Sequence, residues 1–452
     1  MRRSLLRGRL GLAFAAPGVA ARPVPVSPDG LHRFASSALA GAIAGQRVPE
    51  PGARAGARAA VLALLLSAAL VPGARAATIP VTTAADPAPG GACGLRDALD
   101  AANADAPAGS CPAGSGADLI DLRGLAGVIH VGAGELPFLT SELTIRGPGA
   151  DQLAVSGDGL VRVFLAQAFG GGVVLEGLTI RDGNSGASSY EPGTGGCVYA
   201  LGTLTIRDAR LTGCTASALY VGMGGTRLTR VLVDSNPGAG IGVGGITGAG
   251  AIVIESSTVS GNQATGLALV NADGPGPSAS VYHSTFVDNG GANLFVPIYS
   301  GDPADFPLRL SHVVLASGEP NVNCGGQPVV SLGHNLANDD SCALDEPDDL
   351  PATPPDLGPL ADNGGPTATH APFAYSAAVD SGASACPGYD GPLASDQRGF
   401  ARPRDGDGNG EARCDRGAVE VPAPGPAASA AGAALALAAL ARWRFTGSRR
   451  RS

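Results

Sequence analysis

The chain has 452 residues and no Lys, and between Ala77 and Val421 it sets 15 Arg against 37 Asp and Glu. That stretch carries a formal charge of −22, which excludes a nucleic-acid-binding surface and a body that adheres to anionic bilayers. Eight Cys, an even count, point to an oxidising compartment.

Residues 1–50 show no core pattern and read as an over-extended N-terminus, with translation expected to begin near Val48. Residues 51–76 read as a signal peptide. Arg54 and Arg58 precede an apolar run at 59–71, and Ala74–Arg75–Ala76 is a small–x–small cleavage site, so the cut is expected between Ala76 and Ala77. A buried core helix is the alternative, but the Arg-rich front and the Pro72–Gly73 exit favour export.

Residues 77–118 form the expected N-terminal cap. Thr78–Val81 reads as a first strand, and Gly94–Ala104 as a short amphipathic helix with Leu95, Ala98, Leu99 and Ala102 on one face. Residues 119–319 read as the coils, and within them residues 211–296 repeat one phrase: a large apolar residue, Asn three later, a small residue four later, then apolar–x–apolar. It runs Val233, Asn236, Gly240, Ile241, Val243; then Val259, Asn262, Gly266, Leu267, Leu269; then Phe286, Asn289, Asn293, Leu294, Val296. An upstream copy, Leu211, Cys214, Ala218, Leu219, Val221, puts Cys in the Asn column.

Steps of 22, 26 and 27 residues suit a coil of three short strands and three turns. One coil cannot bury its apolar face alone, so coils must stack. At a spacing of about 4.8 Å, inward amides of Asn236, Asn262 and Asn289 can bond coil to coil as a ladder. These patterns predict an all-β, right-handed parallel β-helix with a capping helix and a disulfide-braced C-terminal cap. A β-sandwich gives no reason for the Asn spacing. An extended loop is expected around Ser185–Gly195.

Residues 320–421 turn rich in Asp, Pro and Gly and read as terminal coils plus the cap. The Cys cluster locally along the chain, with separations of 18, 17, 18 and 28 inside pairs and 86, 110 and 44 between them. That spacing favours the disulfides Cys93–Cys111, Cys197–Cys214, Cys324–Cys342 and Cys386–Cys414, although eight Cys allow about 105 connectivities. Zinc is the competing use, against which stands the lack of any C-x2-C spacing.

Asp405, Asp407, Asn409 and Glu411 alternate as oxygen donors around Gly410, the pattern of a calcium loop. Position twelve is Arg416, so Asp415 or Asp396 would have to complete the site; a solvated Asp–Gly turn is the alternative. Gly240–Gly245 matches G-x-G-x-x-G but lies on a repeat strand, where packing is the expected role. His283, alone on a turn, reads as solvated or capping. Residues 422–452 comprise a Pro-rich linker, an apolar Ala427–Ala441 and an Arg-rich end. That layout marks a sorting or anchoring tail through which alone the chain would meet a membrane.

Cys93–Asn103 (CGLRDALDAAN) resembles the CSLREA motif of exported bacterial β-helix proteins, with Gly94 and Asp97 in place of Ser and Glu. Leu357–His370 (LGPLADNGGPTATH), Asp396–Gly399 (DQRG), Arg402–Pro403 and Cys414–Glu420 (CDRGAVE) are similar to choice-of-anchor Q domain proteins. The resemblance implies a β-helix body displayed at the cell surface, and it implies no reaction.

The functional expectation is therefore an exported, surface-anchored binding or structural module; the sequence does not name its partner, and a polysaccharide or cell-surface glycan is suggested only by analogy with the architecture. The enzymatic alternative is a polysaccharide lyase or glycosidase working in the coil groove. Such chemistry needs converging carboxylates, or calcium with a base. The turn column Asp208, Arg230, Ser256, His283 pairs no carboxylates.

Overall fold

A computed structural model of the protein describes residues 76–244, 250–270, 276–297 and 307–423. The expected leader, up to residue 75, and the expected anchoring tail, from residue 424, lie outside the described residues. Among the described residues, no helix is long and apolar enough to cross a membrane.

The strands form three parallel sheets. The first holds ten strands, from Thr78–Pro80 to Val330–Ser331; the second nine, from Gly127–His130 to Leu336–Ala337; the third seven, from Phe164–Ala166 to Val322–Gly326. Each sheet pairs a strand with its counterpart one turn of chain later, so among the described residues seven coils contribute a strand to all three sheets. This is a parallel β-helix.

The repeated phrase maps onto it directly. Its lead apolar residue is an inward position of the second sheet, and its last two apolar residues point inward from the third. In register, Ile180, Leu211, Val233, Val259, Phe286 and Leu315 stack in one column, and Val198, Leu219, Ile241, Leu267 and Leu294 in another. All are essentially without solvent exposure. Each such side chain contributes roughly 1.5–3 kcal/mol of burial, and none could do so without the coil above and below.

The turn between these sheets holds the Asn ladder. Asn236 Nδ2 donates to Asn262 Oδ1 at 2.7 Å, and Asn262 Nδ2 to Asn289 Oδ1 at 2.7 Å. The series then continues through Asn293, Asn323 and Asn338, each step 2.8 Å. Asn293, expected to be merely a small-column residue, is thus a rung. At the other end Asn236 Oδ1 accepts the Cys214 N–H at 2.9 Å. There the Cys197–Cys214 disulfide, with Cα atoms 5.4 Å apart, takes over the coil-to-coil link. The other three disulfides join Cys93–Cys111, Cys324–Cys342 and Cys386–Cys414.

The N-terminal end is closed by helix α1, Leu95–Ala104, which buries Leu95, Ala98, Leu99, Ala101 and Ala102 against the first strands. Arg96 fixes it sideways, pairing with Asp86 at 2.7 Å and donating to the carbonyls of Gly134 and Glu135. Asn103 adds a bond to the Phe138 carbonyl. In the coils, Arg162, 2% exposed, shapes the loop before Val198 by donating to the carbonyls of Tyr190, Glu191, Thr194 and Gly195 at 2.8–3.0 Å.

The stretch 320–421 holds the expected terminal coils and cap, followed by a further segment. Coil strands continue past residue 319, as Val322–Gly326, Val330–Ser331 and Leu336–Ala337. Residues 338–353 form the end cap, where carboxylates replace the missing next coil. Asp339 accepts the Asn323 N–H at 3.0 Å, and Asp349 accepts the Asn335 N–H at 2.7 Å and the Ser331 hydroxyl at 2.5 Å. These bonds satisfy edge groups that would otherwise recruit another strand. Residues 354–421 follow the cap as a strap. They run back along the outer face of the second sheet, where Thr258, Ser260 and Thr285 bond Gln397, His370 and Ala418.

Candidate functional site

The motif residues of the C-terminal region converge beneath the strap. Arg402 and Glu420, both without side-chain exposure, pair at 2.5 Å, and Arg402 also donates to the Gly417 carbonyl at 2.7 Å. Asp396 binds the Arg398 guanidinium at 2.7 Å and the N–H groups of Phe400 and Glu420. Arg416 reaches the Asn335 carbonyl at 2.7 Å and so ties the strap to the last coil. These side chains clamp the strap to the coils, and most of their bonding capacity is spent on one another and on nearby backbone.

Burial and the neighbouring Glu420 push Asp415 up to about 8, and burial, opposed by Arg402, pushes Glu420 up to about 7. The folded state therefore holds protons that the unfolded state has already released above its ordinary carboxyl range, and stability falls as pH rises through 7 to 8. Below pH 6.5 the buried His283, His312 and His370, all lowered by desolvation, pull the other way. The strap should lose on the order of 2 kcal/mol between pH 6.5 and 8.5. Hydrogen exchange of residues 396–420 at the two pH values checks this; equal or greater protection at pH 8.5 refutes it.

Of the predicted calcium ligands, Asp405 and Asp407 come together, and Asp415 is turned away from them. Asp405 spends its oxygens on the N–H groups of Gly408 and Gly410, at 2.7 and 2.9 Å, and Asn409 Nδ2 bonds Asp407. Asp405 and Asp407 lie near Asp380, a residue the spacing did not mark, with carboxylate oxygens within 4.8 Å of one another. Asn409 and Glu411 are exposed turn residues outside that group. Asp415 points inward, accepting the N–H groups of Asp380 and Val421 at 2.7 and 2.6 Å, and Asp396 serves the strap clamp.

Gly240 packs as expected, since a Cβ there would lie 2.7 Å from the Gly266 carbonyl. His283 is not solvated. Its ring is fully buried, stacks on His312 at 4.3 Å and lies 3.1 Å from Arg402 Nη1. Desolvation holds it well below its usual range, so it is a neutral packing element.

The accessible chemistry lies on the outer face of the first sheet, where alternate residues of each strand point to solvent. Near its N-terminal end the outward residues neutralise one another across coils: Arg146 and Arg207 share Glu176, and Arg123 pairs with Asp121. Further along, the strap loop 386–393 folds over this face. Glu255, 4% exposed in its side chain, accepts the Tyr389 N–H at 2.8 Å and the Arg227 guanidinium at 3.3 Å.

That one buried carboxylate sets both partners. Tyr389, 54% exposed, stands edge-on to Tyr282 with centroids 6.4 Å apart and planes at 70°. The Arg227 guanidinium lies 5.7 Å from the Tyr389 centroid and also pairs with the exposed Asp390. Two ring faces meeting at an angle, with a guanidinium and a carboxylate at the rim, can stack on the C–H face of a sugar and bond its hydroxyls. Periodicity could not reveal this cluster, because Tyr282 and Tyr389 are distant in sequence and only the strap joins them.

No protein-family profile matches the chain, and neither does any curated protein sequence. Among solved structures it is similar to pectate lyase Pel9A, with a TM-score of 0.35 and 11% identity over 77% of this chain and 98% of that one. The β-helix assignment stands on the strand register, and the site on its own geometry.

Proposed function

We propose that the chain is an exported β-helix surface module that binds glycan on the outer face of its first sheet, at Tyr282, Tyr389 and Arg227. The observation that carries this reading is an exposed Tyr389 set against the half-buried Tyr282, its backbone and the neighbouring Arg227 held by a buried carboxylate, Glu255, which an unused surface would not need. Export is supported by the leader-like segment at 51–76 and by four disulfides. The resemblance to surface-displayed β-helix proteins, and the apolar tail after residue 421, support anchoring. Binding rather than backbone cleavage is favoured because Glu255 is buried and fully engaged, while Asp390 is paired with Arg227.

A polysaccharide array read for both retention and released ends tests the reading. Retention without new reducing or unsaturated ends is expected. Release of unsaturated ends would replace this reading with a lyase. On the ligand that binds, Tyr389→Ala should raise Kd about tenfold, the equivalent of ~1.4 kcal/mol of lost stacking. Its thermal midpoint should match wild type, because the ring is largely exposed. Unchanged affinity in that variant places binding elsewhere.

A further inference from the structure

A second group of residues lies under the other edge of the strap. His370, which closes the Leu357–His370 motif, places Nε2 2.8 Å from Ser260 Oγ and Nδ1 2.9 Å from the Gly358 carbonyl oxygen. A carbonyl only accepts, so Nδ1 carries the proton. In the neutral ring Nε2 is then an acceptor, and the Ser260 hydroxyl donates to it. This is the relation of nucleophile, base and orienting group that acyl-transfer sites require. Desolvation lowers the basicity of His370 and keeps it neutral.

His370 borders a cavity of about 330 Å³. His370 is part of its wall, with Val287, Ala316, Pro355, Leu357 and Pro359 as apolar lining. Val287 is the direct register partner of Ser260 in the second sheet, so Ser260 stands one strand away from the lining. Asp288 and Asp356 add negative charge to the wall, which disfavours an anionic ligand. Ser260 and His370 are 5% and 7% exposed.

We propose that Ser260 and His370 form a serine-hydrolase dyad that removes small neutral acyl groups, such as acetyl esters carried on a sugar hydroxyl. Ser260 Oγ attacks the acyl carbon while Nε2 takes the hydroxyl proton. The ester C–O bond breaks, and the proton passes to the departing sugar oxygen. A water, deprotonated by the same nitrogen, then releases the acyl group as a carboxylic acid and restores Ser260. The activity is independent of the glycan-binding reading, since the two sites share no residue.

The alternative is that the Ser260–His370 bond only pins the strap to the coil. A fluorophosphonate probe on the folded wild-type protein, followed by peptide mapping, separates the two. The dyad predicts a stoichiometric adduct on Ser260, and hydrolysis of p-nitrophenyl acetate that drops at least 100-fold in Ser260→Ala and His370→Gln. It further predicts a rate that holds its plateau below pH 6.5. No adduct on Ser260, or hydrolysis unchanged in Ser260→Ala, overturns the proposal. Wild-type labelling keeps the test decisive even if a variant misfolds.

Discussion

Asn262→Leu should destabilise the coil stack by about 4 kcal/mol or more. Asn262 Oδ1 accepts the Asn236 amide and the Asn236 N–H at 2.7 and 3.2 Å; its Nδ2 donates to Asn289 Oδ1 and the Val233 carbonyl at 2.7 and 3.1 Å. Leu matches the volume but removes all four bonds from a site that is 1% exposed, stripping the Asn236 N–H of its partner and leaving Asn236 Nδ2 and Asn289 Oδ1 with one bond each. Each orphaned group costs roughly 1–3 kcal/mol. Because neighbouring rungs bond through this residue, the ladder is cut in two, and the loss should exceed that of an isolated buried amide. Thermal unfolding of the mature chain checks it. A midpoint within a degree of wild type would mean that the rungs contribute independently of one another, or hardly at all.

The central rungs are legible in the sequence because they recur at one offset from an apolar residue. A side chain that bonds its own copy in the next coil must repeat whenever the coil does. The last rungs are hidden for a related reason. Asn293 follows Asn289 by only four residues, and Asn323 and Asn338 sit in coils whose turns have changed length, so no fixed offset marks them. Helix α1 is legible as well, because Leu95, Ala98, Leu99 and Ala102 keep helical spacing over their whole length.

The strap is not. Its contacts, Ser260 with His370 or Glu255 with Tyr389, join residues 110 and 134 positions apart with no periodicity. Its Asp–Gly turns satisfy their own N–H groups with the same alternating oxygens that a calcium loop would use. Spacing alone therefore favours neither the turn nor the ion. The same cause hides the burial of His283: without the strap its corner position is solvated, and with it the ring is wholly enclosed.

Arg402→Met should release the strap while leaving the coils folded. Arg402 supplies the positive charge facing Glu420, and its second nitrogen holds the Gly417 carbonyl. Met keeps the packing volume but leaves the Glu420 carboxylate buried beside Asp415 without a counter-charge, a loss that typically costs about 3–5 kcal/mol. The strap's other bonds to the coils, among them Thr258 with Gln397, Ser260 with His370, Thr285 with Ala418 and Arg416 with Asn335, do nothing to neutralise Glu420. The coil core, by contrast, rests on the inward columns and the ladder. Hydrogen exchange should therefore show lost protection across residues 396–420 and unchanged protection at Leu204–Ile206.

Acidification should restore part of that loss in Arg402→Met, because a neutral Glu420 needs no partner. Arg402→Met combined with Glu420→Leu should recover more than either change alone would allow, since it removes the buried charge altogether. Uniform loss of protection across coils and strap would show that the strap is integral to the β-helix core. Full protection in the single variant would show that the buried pair is dispensable, and with it the role assigned to the DQRG and CDRGAVE residues.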